Sequence, residues 1–166
     1  SKTIKEFNKI TKKIDAVSRC SSDDYYCDKI SIEKLKHFVS KEAFNIDGLG
    51  KKIVEEFWKI KLIKFPHDIF KLDYEKIELL DGWGKQSVEN LKYSINEKKN
   101  ISLDRLIYSL GIRHIGLENA KILSKHFRSF SKFKSLSKDN SYEELLNIDG
   151  IGETQVNSNK NFFSNK

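Results

Sequence analysis

The chain has 166 residues, enough for one domain with a core of its own, and its 31 Lys and Arg against 24 Asp and Glu leave a net charge of +7. That balance favours a polyanionic partner, most simply nucleic acid, but AT-rich coding also yields a chain heavy in Lys, Ile, Asn and Ser with a single Pro. The placement of charge must therefore carry more weight than its sum. No run approaches the roughly 20 apolar residues of a membrane span and no charged-then-apolar leader is present, so the chain reads as soluble and intracellular.

There is no methionine, from which an internal piece of a longer protein is expected. Residues 1 to 18 show little apolar pattern and are expected to be loosely ordered. Cys20 and Cys27 follow, six residues between them, a spacing that suits half of a tetrahedral zinc site better than a disulfide framework. His37, His67, His114 and His126 are scattered and supply no matching pair, so two unliganded cysteines stand as an equal alternative.

From residue 31 onward one unit recurs. Apolar residues at helical spacing (Ile32, Leu35, Phe38 and Val39) lead into "IDGLGKKIVEEF" at 46 to 57. Ile77 and Leu80, after an N-cap at Asp73, lead into "LDGWGKQSVENL" at 80 to 91. Leu103, Leu106, Ile107 and Leu110, after Ser102, lead into "IRHIGLENAKIL" at 112 to 123. Leu145 and Leu146, after a capping box of Ser141 and Glu144, lead into "IDGIGETQVNSN" at 148 to 159. The last glycines of the frames are Gly50, Gly84, Gly116 and Gly152, and seven of the eight glycines in the chain fall inside the frames.

Each unit reads as helix, tight glycine turn, helix, which is the helix-hairpin-helix pattern. The turn needs positive φ, which glycine reaches without steric cost, and an apolar plug (Leu49, Trp83, Ile115 or Ile151) between the helices. The second helix starts at the last glycine, so its unpaired N–H groups and positive dipole end form an anion site that a phosphate can approach without meeting a Cβ. The plain alternative, C-cap glycines in a helical bundle, suits a single G-x-G better than four in a basic chain.

Candidate phosphate-binding residues are Gly48, Gly50, Lys51 and Lys52 in the first frame and Gly82, Gly84, Lys85 and Gln86 in the second. The third offers Arg113, His114 and Gly116, with the histidine standing where the others have glycine; the fourth offers Gly150 and Gly152. Glu153 follows Gly152 where the first two frames have a base, so the fourth frame ranks as mainly structural. Amide contacts to phosphate carry no base information, so sequence-independent, salt-sensitive duplex binding across a minor groove is expected. Lys98, Lys99, Lys121, Lys125, Lys132 and Lys134 read as solvated faces. Phe57, Trp58, Phe70, Phe127, Phe130 and Phe133 read as core, and Trp83 as either plug or exposed ring.

On these residues the chain resembles a known family. "SRCSSDDYYCDKISIEKLKHFVSKEAFNIDGLGKKIVEEF", "DIFKLDYEKIELLDGWGKQSVENLKYSI" and "LDRLIYSLGIRHIGLENAKIL" are similar to bacterial NAD-dependent DNA ligases, a likeness running from 19 to 163. The resemblance implies an all-α domain, a tandem array of four helix-hairpin-helix motifs over 31–166, after a partial zinc-finger segment over 1–30. It implies a non-catalytic, monomeric module that grips nicked double-stranded DNA through minor-groove phosphates in replication and repair, beside the remaining ligase domains in the bacterial cytoplasm and nucleoid.

It also makes Cys20 and Cys27 the last two zinc ligands, with an upstream C-x-x-C needed to complete the set. The family attacks NAD with the lysine of a K-x-D-G motif, and here "NIDG" and "LLDG" put Asn45 and Leu79 at that position. This piece is thus expected neither to take AMP from NAD nor to seal a nick, the NAD chemistry belonging to another region. A base-excision-repair module and a protein-interaction scaffold built from the same hairpins are the competing readings.

Overall fold

A computed structural model describes residues 3–8, 13–20 and 27–164, the first two segments in their backbone course. The two strands, β1 (Thr3–Asn8) and β2 (Lys13–Cys20), pair antiparallel, Thr3 opposite Cys20 and Asn8 opposite Lys13, with an irregularity between Lys5 and Phe7. This differs from the loose order expected for residues 1 to 18. β-Branched and aromatic residues in short runs favour strand without giving a helical period, so a search for helices passes over them.

From residue 28 the described chain is helical: α1 (Asp28–Val39), α2 (Lys51–Lys59), α3 (Tyr74–Glu78), α4 (Lys85–Glu97), α5 (Leu103–Ser109), α6 (Leu117–Phe127), α7 (Phe130–Asp139) and α8 (Glu153–Ser164). Short 3₁₀ helices at Pro66–Lys71 and Tyr142–Asn147 fill two of the connections. The start signals are met unevenly. Asp73 caps α3 by accepting the Lys76 N–H at 3.2 Å. Ser102 and Ser141 stand at N-cap positions without side-chain cap bonds, so the capping box expected at Ser141 and Glu144 does not form; that segment is a 3₁₀ turn, with the Glu144 N–H donating to the Ser141 carbonyl.

Two cores hold the described helices together. Leu35, Val54, Phe57, Ile77, Leu91 and Ile95 anchor the first, and Ile107, Leu123, Phe133, Leu145 and Val156 the second. Phe57 and Phe133 are fully buried, and Trp58, Phe70, Phe127 and Phe130 pack partly buried against the clusters, as core rather than stacking platforms. Leu146, by contrast, is exposed.

Polar contacts tie the halves where α1 meets α5. The His37 Nε2 lies 2.7 Å from the Tyr108 carbonyl oxygen, and an Arg105 guanidinium nitrogen donates to the carbonyls of Lys41 (2.8 Å) and Ala43 (3.0 Å). Within the first half, Lys36 bridges Glu33 and Glu55, joining α1 to α2. Its hydrogen bond to Glu55 holds that carboxyl below the usual range.

Candidate nucleic-acid interface

Four corners share one plan. The N–H of each plug residue, Leu49, Trp83, Ile115 and Ile151, donates three residues back, to the carbonyls of Ile46, Leu80, Ile112 and Ile148. The next helix then opens with a bond to the carbonyl of the last glycine: Val54 to Gly50, Val88 to Gly84, Ala120 to Gly116 and Val156 to Gly152, all at 2.9 to 3.1 Å. The amides of the three residues after each of those glycines accordingly have no carbonyl within the helix to receive them, as at any helix start.

The two glycines of a frame do different jobs. The first carries positive φ: +91° at Gly48, +80° at Gly82 and +89° at Gly150. In the third corner His114 adopts +64° in its place, a conformation unfavourable for a residue with a Cβ, and Asn119 braces it by donating to the His114 carbonyl at 3.0 Å. The second glycine is extended backbone, φ −66° at Gly50, −141° at Gly84 and −84° at Gly116, which any residue adopts. A Cβ there would meet nothing within 4 Å. The expectation that these positions need positive φ for the turn is therefore corrected: their backbone is extended, and each serves as the N-cap of the following helix, a place glycine suits.

All these glycines are exposed. The plugs Leu49, Ile115 and Ile151 are buried, while Trp83 is half-buried with its ring 5.6 Å from that of Phe57, which makes it chiefly a plug. Lys51 and Lys52 stand exposed on the first turn of α2, and Lys85 and Gln86 on that of α4, where Gln86 spends its amide on Asn90 at 2.9 Å. Arg113 is exposed on the approach to the third corner.

The corners differ in how free their amides are. Ser87 Oγ accepts the Gly84 N–H at 2.9 Å, and Gln155 Oε1 accepts the Gly152 N–H at 3.1 Å. A Cβ on Gly152 would also press on Gln155 at 3.3 Å, and Glu153 adds negative charge to the same turn. The fourth corner is thus the most obstructed.

The corners meet in pairs. Asp47 donates its N–H to Ser94 Oγ on α4 at 2.8 Å, and Gly48 and Gly82 line one cavity of about 510 Å³. Gly150 sits against Ile122 on α6, bringing the fourth corner to the third. Asp47, Glu56 and Asp81 also line the first cavity, so its interior disfavours anions. A second cavity, about 530 Å³, lies between the third corner and α8 and includes Lys34, Asn157, Ser158 and Asn161. Sequence reasoning passed over these four residues. The only signal for the three on α8 is their polar spacing along that helix, which the general Asn and Ser richness of the chain conceals.

Cys27 is buried at the N-cap of α1, and Cys20 ends β2 with its side chain outside the described residues. Among the described residues no three of His, Cys, Asp or Glu come together to hold a metal. Nor is any described helix long and apolar enough to cross a membrane.

Residues 105–166 match the helix-hairpin-helix motif family. Over its full length the chain is 63% identical to 25% of a DNA ligase from Pelagibacter ubique (strain HTCC1062), and 38% identical to 25% of one from Parvibaculum lavamentivorans. Over 92% of its length it is 44% identical to 24% of a DNA ligase from Rickettsia bellii (strain RML369-C). The chain spans about a quarter of the length of these relatives.

Proposed function

We infer that this chain, similar from end to end to one quarter of the bacterial DNA ligases, is the non-catalytic part through which such an enzyme holds double-stranded DNA. Its corners take backbone phosphates across the minor groove of nicked duplex during replication and repair, without reading sequence. The single observation supporting this most strongly is the open second glycine at Gly50, Gly84 and Gly116: extended backbone that needs no glycine for its fold, kept bare where a helix presents its free amides. Lysines directly after the first two corners add charge to that cradle.

The first two corners bear most of the grip, the third follows, and the fourth serves mainly as structure. The chemistry of sealing, with NAD as the source of AMP, belongs to the rest of the parent ligase. Cys20 and Cys27 are two ligands of a zinc whose other donors lie beyond these residues, and the metal's work there is structural. The module acts as a monomer in the bacterial cytoplasm, at the nucleoid.

Fluorescence anisotropy with labelled duplexes of unrelated sequence, nicked and intact, tests the reading. Comparable affinity across sequences is expected, falling linearly in log–log form as salt rises. A duplex left unbound at low salt would indicate a protein-interaction scaffold instead, and release of a damaged base from the duplex would indicate a glycosylase.

A further inference from the structure

We propose that His37 and Arg105 form a latch that makes the two halves of the chain act as one body, α1 to α4 carrying the first two corners and α5 to α8 the last two. The part of this that concerns DNA rests on the duplex-binding reading above. The buried apolar residues of the halves gather in separate clusters, and the chain runs from α4 to α5 through residues 98–102. Where the halves face one another, gaps remain. Clefts of about 500, 530 and 430 Å³ are each lined from both sides: His37 and Phe38 against Leu110 and Phe162, Lys34 against α8, and Phe38 and Phe70 against Leu106.

Directional bonds cross this seam at α5, whose Leu106 packs on the first cluster while Ile107 beside it is buried in the second. A carbonyl oxygen only accepts, so His37 donates from Nε2 to that of Tyr108 at 2.7 Å, with the two rings 4.6 Å apart. One guanidinium nitrogen of Arg105 donates to the carbonyls of Lys41 and Ala43, just beyond the end of α1. Gly111, the one glycine outside the four frames, has φ +63° and lies against the same histidine: a Cβ there would stand 3.5 Å from His37 Cδ2. Two binding arms held at a fixed setting gain more from a shared ligand than two that swing freely, so both side chains position the corners without meeting DNA themselves.

His37→Phe keeps a ring and removes its bond, and Arg105→Gln shortens the side chain out of reach of both carbonyls. In the 166-residue chain carrying both changes, calorimetry is expected to resolve two transitions, one per cluster, where the parent melts in one. The second readout is affinity for labelled duplexes of about 6 to 24 base pairs, roughly half a helical turn to just over two. The variant is expected to bind the shortest as the parent does and the longest on the order of tenfold more weakly. An equal loss at every length, or no loss at any, would overturn the positioning role. A single transition at the parent's midpoint would overturn the latch itself. No duplex binding by the parent would overturn the duplex-binding reading and the positioning role with it, while calorimetry still decides whether the latch joins the halves.

Discussion

Gly150→Val is expected to lower the thermal midpoint by on the order of 10 °C, the largest stability loss among the corner glycines. Two costs combine. At φ +89° a Cβ of L configuration is strained, about 1–2 kcal/mol and more for a β-branched residue. The new Cβ would also stand 2.8 Å from Ile122 Cδ1, so that methyl has to swing aside and valine's own methyls press after it, at about 1 kcal/mol or more. Gly82→Val separates the terms, because Gly82 has a similar φ of +80° but nothing within 4 Å of its Cβ. It is expected to cost only the torsional part and about half the shift in midpoint. Equal losses in the two variants, read by calorimetry, would show that the contact between the fourth corner and α6 carries no weight.

The largest loss of binding is expected from Lys51→Gln, Lys52→Gln and Lys85→Gln made together. All three side chains are exposed at the starts of α2 and α4, beside the open glycines. If each meets one phosphate, the slope of log affinity against log salt falls by about 2.7, and duplex affinity at about 0.1 M salt falls on the order of a hundredfold. Because the side chains are solvated and glutamine is a good helix former, the thermal midpoint should scarcely move. The same change at Lys98, Lys99 and Lys121, none of which directly follows a corner glycine, is expected to alter the slope much less. If both triple variants lose the same slope, the positive charge acts as a diffuse field and the lysines at the corners have no special place.

Much of this was legible because glycine is used sparingly. Torsional demand at Gly48, Gly82 and Gly150 writes itself into the sequence, and the apolar plug one residue later completes a recognisable unit. His114 shows the limit of that reading. It breaks the pattern by residue type yet keeps the positive φ, since Asn119 and the surrounding turn hold it there.

The separate duty of the second glycine was not legible, because sequence alone does not distinguish a glycine needed for its φ from one needed for its bareness. Ser141 and Glu144 satisfy a capping box on paper, but the short segment before the fourth corner closes as a 3₁₀ turn and leaves the serine side chain without a cap bond. The pairing of corners depends on contacts between residues far apart in sequence, Asp47 with Ser94 and Gly150 with Ile122, which no local pattern records. The polar stripe of α8 was hidden by composition: in a chain rich in Asn and Ser, Asn157, Ser158 and Asn161 on one helical face attract no notice until the fold sets Arg113 and His114 opposite them.

The central claim is that bare backbone at the start of α2 and α4 lets phosphate reach the free amides, and the double change Gly50→Ala and Gly84→Ala addresses it with one methyl at each site. Both positions are extended and open, so the fold accepts alanine. The lost N-cap preference and the smaller entropy of the unfolded chain offset each other to within about 1 kcal/mol. Duplex affinity measured by anisotropy should drop about tenfold or more, with the salt slope nearly intact because amides carry no net charge. A doubly substituted chain that melts like the parent and binds duplex as tightly would contradict the account.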